Sequence, residues 1–297
     1  MLGAIIGDTV GSRFEWHNIH TKEFKLLPNS CFLTDDSIMT IAVAEAILNW
    51  VDDSYREKND YSKLSEYAAL FIRKWGKMYP KAGYGGSFRR WLRNPSLGPY
   101  NSCGNGAAMR ISPVGWASEN LEDCVAMSKA ITRITHDHPD GIMGAESTAV
   151  QIFQATHGIK LNSLKEYEKN NYYQLNYNLE WLQKNYTWHS LCNGTCQAAF
   201  VCLYESTSFE DAIRNCISIG GDCDTTAAIC GGIAEAVWGI PESISSRIID
   251  FMDYKQKQLF LSFKTDLLIR NKLVRCLFYC LLFLMLRNSF TNYYKTL

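Results

Sequence analysis

The chain has 297 residues, 47 % hydrophobic and 20 % charged, with 30 Lys plus Arg against 30 Asp plus Glu. That composition excludes a disordered chain, and zero net charge gives no bulk electrostatic reason to expect a nucleic-acid partner. The length suits one large domain with a sizeable core.

In chain order, the opening Met1-Leu2-Gly3-Ala4-Ile5-Ile6-Gly7-Asp8 has no basic region, and its apolar run stops at Asp8. It does not read as a secretory signal, so a cytoplasmic protein is expected. Residues 35–50 and 62–78 carry helix-spaced apolar stripes, with Thr34 and Ser62 as natural N-caps. Residues 79–115 are rich in Gly and Pro and read as a long ordered loop region. Helices are predicted over 119–133 and 141–156, and residues 160–190 read as a surface excursion with one helix. Further helices are predicted over 208–218, 224–238 and 243–263, the last behind Pro241-Glu242-Ser243. Strand-like alternation is scarce, so the fold class is mostly α in a single compact domain. That domain spans 1–264, and 265–297 reads as an apolar appendage whose run from Cys276 to Leu286 is shorter than the roughly 20 residues a membrane span needs. No transmembrane segment is therefore expected. The 11 cysteines are scattered and read as reduced, mostly buried thiols; Cys216, Cys223 and Cys230 recur every seven residues, as on one side of a helix.

Two clusters carry the chemistry: Thr34-Asp35-Asp36-Ser37 and Gly220-Gly221-Asp222-Cys223-Asp224-Thr225-Thr226. Each sits where a loop enters a helix, and each offers two carboxylates and a hydroxyl. Either alone reads more readily as a helix cap than as a metal site. Together they would form a hard-oxygen site suited to Mg²⁺, Mn²⁺ or Ca²⁺, with cations relieving the mutual repulsion. Glu15, in Gly7-Asp8-x2-Gly11-x3-Glu15, is a candidate base or gate. The segment Ser102-Cys103-Gly104-Asn105-Gly106-Ala107-Ala108-Met109-Arg110 could offer backbone N–H groups to phosphate but lacks a P-loop Lys-Ser/Thr. His136 and His138 alternate along the chain, so a shared metal is not the default; a substrate-lining or structural His136 is the better reading.

Taken in order, these motifs resemble the ADP-ribosylglycohydrolase family, which includes ADP-ribosylarginine hydrolases, ADP-ribosylserine hydrolases and dinitrogenase reductase-activating glycohydrolases. Coverage is roughly residues 1–260. The resemblance implies an all-α, compact orthogonal helical bundle with a binuclear site for two Mg²⁺ (or Mn²⁺). It implies metal ligation by Thr34, Asp35, Asp36, Asp222, Asp224 and Thr225, and catalytic roles for Glu15, Asp36 and Asp224. It also implies that Ser102, Gly104, Asn105, Gly106 and His136 bind substrate. Ser37, Cys103 and Cys223 depart from the family's pattern without removing an implied ligand. The expected activity is metal-dependent release of ADP-ribose from an ADP-ribosylated protein or a small-molecule ADP-ribose conjugate. A non-catalytic ADP-ribose binder is the alternative, and phosphohydrolysis a third reading.

Overall fold

The computed structural model describes residues 1–56 and 59–267. Its helices in order are α1 Leu2–Gly11, α2 Asp35–Asp52, α3 Tyr61–Met78, α4 Gly86–Arg93, α5 Ser112–Ala117, α6 Leu121–Thr132 and α7 Pro139–Thr156. Then follow α8 Leu161–Asn171, α9 Leu179–Asn185, α10 Cys192–Tyr204, α11 Phe209–Ser218, α12 Cys223–Trp238 and α13 Glu242–Ile248. Residues 254–267 are also helical. Among the described residues the fold is all-α, and no helix is long and apolar enough to cross a membrane. The run from Cys276 to Leu286 lies outside the described residues.

Helix ends follow local chemistry. Asn120 accepts from Asp123 N at 2.9 Å and Ser208 from Asp211 N at 3.2 Å, fixing the starts of α6 and α11. His138 caps α7 through Nδ1, which accepts from Asp140 N at 3.1 Å. The centre of the molecule is α1 against α12. Every residue of α1 is buried, as is α12 from Cys223 to Ala234. Small residues make this closeness feasible. A Cβ on Gly3 would lie 2.1 Å from Gly231 O, and one on Gly7 2.0 Å from Ala227 O. On Gly11 it would lie 2.3 Å from Asp224 Cα. This seam places the C-terminal end of α1 against the N-terminal end of α12, and α2, α5, α7, α10 and α11 pack around the pair.

Several expectations need correction. The helix predicted over 243–263 is interrupted after a 3₁₀ turn at Ile249–Phe251. A new helix then starts at a capping box: Gln256 N donates to Asp253 Oδ1 at 3.0 Å, and Asp253 N to Gln256 Oε1 at 2.8 Å. The excursion over 160–190 carries two helices, α8 and α9, rather than one. Cys216 lies on α11, whereas Cys223 and Cys230 lie on α12, so the seven-residue spacing crosses a turn. The cysteines are unpaired among the described residues and, Cys103 apart, buried.

Candidate metal centre and active site

The two acidic clusters meet. Asp8, Asp36 and Asp224 bring carboxylate oxygens within 4.8 Å of one another, and Glu15, Asp222 and Asp224 do the same. Asp36 stands in the first turn of α2 and Asp224 in the first turn of α12. Asp222 precedes α12 behind Gly220 and Gly221, both at φ +70, a left-handed conformation that other residues rarely adopt. The side chain of Asn18 grips this turn. Its Oδ1 accepts from Gly221 N and its Nδ2 donates to Gly221 O, both at 2.9 Å.

Asp8 has a different task from its neighbours. Its carboxylate accepts from Thr34 N at 3.0 Å, from Ser37 N at 3.1 Å and from both hydroxyls. Its oxygens are thus occupied in holding the entrance of α2. By contrast, Asp36 Oδ1 is buried with no hydrogen-bond partner, while Asp36 Oδ2 accepts from Thr225 Oγ1 at 3.3 Å. A buried, unpartnered carboxylate oxygen facing other carboxylates is costly unless a cation joins it.

The electrostatics point the same way. Burial and then the charge of Asp8 push Asp36 well above the ordinary carboxylate range. Burial and then Asp222 do the same to Asp224. Burial, then Asp8, raises Asp35 to about 8. Burial, opposed by hydrogen bonds, raises Asp8 to about 6. Burial and then Asp222 raise Glu15 to about 7. Without a cation this cluster prefers protons. Its all-oxygen donor set fits a hard divalent ion, so these buried acidic residues could hold metals.

The carboxylates floor a cavity of about 460 Å³, a size suited to a small molecule. Glu15, Asp35, Asp36, Asp222, Asp224 and Thr225 line it together with Ser102, Gly104, Asn105, Gly106 and His136. Thr34, also read from sequence, is not among the lining residues; it caps α2, its hydroxyl donates to Asp8 Oδ1, and the same oxygen lies 3.5 Å from Asp36 Oδ2. Asn105 N donates to Ser190 O at 2.8 Å. Its side-chain amide donates to Asp222 Oδ2 at 2.7 Å and Thr195 Oγ1 at 3.2 Å. The Gly-Asn-Gly loop therefore orients Asp222 as well as forming cavity wall. Ser102 Oγ accepts from Gly104 N at 3.2 Å and shapes the same loop.

Sequence reasoning missed three further features. Asp8 appeared as the end of an apolar run and inside the Glu15 motif, with no role of its own. Arg110 is 1 % exposed and lines the cavity. Its Nη2 donates to Thr135 Oγ1 at 2.7 Å, and that hydroxyl lies 2.7 Å from His136 Nδ1. Arginine can only donate, so the Thr135 hydroxyl keeps its own proton available to Nδ1. Burial, then Arg110, holds His136 neutral by pushing its pKa well below the usual value. Nε2 faces the Gly104–Gly106 loop, 3.3 Å from where a Gly106 Cβ would stand. The third feature is a pair of tryptophans at the cavity's edge, Trp16 and Trp188. No local spacing links them, nor Arg110 to His136; only the fold does.

The likeness to known proteins extends over the whole of this architecture. The profile of the ADP-ribosylglycohydrolase family matches residues 1–270. The ADP-ribosyl-[dinitrogen reductase] glycohydrolase of Rhodospirillum rubrum is 25 % identical over 86 % of this chain and 89 % of its own length. ADP-ribosylhydrolase ARH3 of Mus musculus is 26 % identical over 54 % of this chain and 48 % of its own, so the match spans about half of that relative. A solved ADP-ribosylglycohydrolase-related protein complex has the same fold, with a TM-score of 0.62 at 22 % identity over 88 % of this chain and 93 % of that one. With the profile running through both acidic clusters and the loop between them, the chain belongs to the ADP-ribosylglycohydrolase family.

Proposed function

We propose that this protein is a metal-dependent hydrolase that cleaves the glycosidic bond between ADP-ribose and an acceptor, releasing ADP-ribose. The observation that carries the reading is the convergence of the two acidic clusters, 186 positions apart between Asp36 and Asp222, on the floor of one cavity. An ADP-ribosylated protein side chain or a smaller ADP-ribose conjugate is the substrate class the family implies.

Thr34, Asp35, Asp36, Asp222, Asp224 and Thr225 are the residues assigned to hold two Mg²⁺ or Mn²⁺ ions. Divalent cations bound there would supply Lewis-acid orientation of sugar hydroxyls and a more acidic water. The remaining work falls to the chain. Cleavage at the anomeric carbon passes through an oxocarbenium-like state, whose positive charge the surrounding carboxylates favour. Glu15, raised to about 7 and half-buried beside Asp222, is placed to take or give a proton near neutral pH. Asp8 holds the entrance of α2, and Asn105 holds Asp222. His136 presents Nε2 to the oxygen-rich ligand, and the Gly104–Gly106 backbone admits the pyrophosphate closely.

The test is product release from ADP-ribosyl-arginine and ADP-ribosyl-serine peptides, with Mg²⁺ or Mn²⁺ and with chelator. Free ADP-ribose appearing only with metal is expected. Asp36→Ala and Asp224→Ala are expected to lose turnover by about 10²-fold or more while staying folded by circular dichroism. AMP as the product would convert the reading to pyrophosphate cleavage. Full activity in both variants would remove the metal assignment.

A further inference from the structure

Helix α4 carries Arg89, Arg90 and Arg93 exposed to water. Together with Gly86 they recur at i, i+3, i+4 and i+7, the spacing of one helix face. The other face is anchored. Trp91 and Leu92 are buried, and the Arg73 guanidinium lies 3.6 Å from the centroid of the Trp91 ring. Arg73 also donates to the carbonyls of Trp91, Asn94 and Leu97, at and beyond the C-terminal end of α4. A separate cation therefore already answers the helix dipole there, and the three exposed arginines are not needed for it. None of the three makes an ion pair among the described residues. Arg93 stands one turn from both Arg89 and Arg90, so these like charges repel one another. Arg89, Arg90, Arg93 and Asn94 line a cleft of about 480 Å³. Gly86 and Arg89 line both this cleft and the acid-floored cavity, so the two are continuous at the rim.

We propose that the arginine face of α4 is a docking strip for an acidic, Asp- or Glu-rich segment of the ADP-ribosylated protein. The proposal rests on the hydrolase reading above and extends it from the bond cleaved to the polypeptide that carries it. The cavity suits a small molecule, so the polypeptide stays outside, over the rim. A cleft lined by one sign of charge focuses its field on a partner of the other sign, and a guanidinium fork matches a carboxylate. The spacing also agrees. Alternate side chains of an extended segment lie about 6.6 Å apart. Four residues along a helix, the separation of Arg89 and Arg93, rise about 6 Å. Single-stranded nucleic acid fits less well, because its binding surfaces offer rings for the bases to stack on. On α4 the Trp91 ring is buried, Phe88 is half-buried, and the chain as a whole has no net charge.

The experiment uses the full chain as wild type, as Arg90→Gln/Arg93→Gln and as Arg90→Lys/Arg93→Lys. Fluorescence anisotropy measures binding of an unmodified Glu-Ser repeat peptide, its Gln-Ser counterpart and an oligo-dT of equal charge. Wild type is expected to bind the Glu peptide about tenfold more tightly than the Gln peptide at about 50 mM salt, and to lose most of that preference at about 300 mM. The Gln variant is expected to lose about five- to tenfold in Glu-peptide affinity, and the Lys variant to recover part of it, since the charge remains and the fork does not. Affinity for ADP-ribose is expected to stay within about twofold, because Arg90 and Arg93 line only the outer cleft. On ADP-ribosyl peptides with Mg²⁺, a Glu-rich flank is expected to raise kcat/KM about fivefold over a Gln-rich flank, through KM, and the Gln variant to abolish the difference. Equal affinity for the two unmodified peptides, or an unchanged Gln variant, would overturn the proposal. Tighter binding of oligo-dT than of the Glu peptide would make the strip a nucleic-acid surface and overturn it also. A Glu peptide that docks while both flanks are hydrolysed alike would overturn the assignment to substrate. If neither modified peptide releases ADP-ribose, the hydrolase reading fails separately, and the anisotropy, which involves no ADP-ribose, still decides whether α4 takes an acidic segment.

Discussion

Asp8 illustrates how much of this site is decided by a residue whose oxygens are taken up in hydrogen bonds. Its carboxylate collects two backbone N–H groups and two hydroxyls from Thr34 and Ser37, so it sets the path of the chain into α2 and thereby the position of Asp36. The Ser37 hydroxyl is one of the four donors. In Asp8→Asn one oxygen becomes an N–H₂ group that opposes donors instead of receiving them. The variant is expected to fold, because the α1–α12 seam does not depend on the carboxylate. Its Mn²⁺ affinity, read by isothermal titration, should fall about 10- to 100-fold, the range seen when an orienting partner of a ligand is lost. Unchanged affinity would mean that Asp8 acts only as a fold element. Arg110, Thr135 and His136 form a second arrangement of the same sort, in which a buried cation and a histidine share one hydroxyl.

At the scale of elements, the seam between α1 and α12 brings the two halves of the site together. Gly7 and Gly11 lie against the backbone of α12, where nothing can rotate aside. Gly7→Ala raises local helix propensity by about 1 kcal/mol but places a methyl 2.0 Å from Ala227 O, so α1 must move away. We expect net destabilisation of about 2–3 kcal/mol in urea unfolding, together with weaker metal binding. Gly232→Ala on the same α12 is the control. Its new methyl would lie 3.2 Å from Ser112 Oγ, 3.3 Å from Ser112 Cβ and 3.4 Å from Ile152 Cδ1, side-chain atoms that need give only a few tenths of an ångström, so a change below about 1 kcal/mol is expected. Similar losses in both variants would deny the seam its special role. These elements also explain what the sequence disclosed. Amphipathic α3 was read almost to its ends, because one face meets water and the spacing is visible. The wholly buried α1 has no polar face, and the largely buried α10 shows little beyond Asn193 and Gln197 to water, so neither left a clear period to read. The clusters at Thr34–Ser37 and Asp222–Thr225 were legible because Asp-rich helix entrances following Gly or a capping Thr are local signals. That they share a cavity with Glu15 and His136 depends on packing between distant segments, as does the meeting of Trp16 with Trp188. The Asp253–Gln256 capping box was a local signal left unread beneath a continuing apolar period.

For the molecule as a whole, the acidic site sets how stability responds to pH and to metal. In the metal-free protein Asp8, Glu15 and Asp35 have folded pKa values of about 6, 7 and 8, and Asp36 and Asp224 are also raised well above the ordinary carboxylate range. The unfolded values lie near 4. Each group therefore binds more protons folded than unfolded, and the stability this confers is complete below about pH 4 and lost as pH climbs through the folded values. Across the window from about 4 to 8, the chelated protein should lose stability steadily as pH rises, whereas ordinary salt-bridged carboxylates produce the opposite trend in acid. A divalent cation reverses this, because it binds the ionised form of the same groups and only in the folded chain. At about 100 times its Kd it adds about 2.7 kcal/mol, and the gain grows with pH as metal displaces protons. Thermal unfolding with EDTA and with Mn²⁺, each followed from pH 5 to pH 8, should give curves that diverge toward high pH. Parallel curves would mean that the cation binds elsewhere, and a chelated protein that grew more stable with rising pH would mean that these carboxylates are ionised in the fold without it.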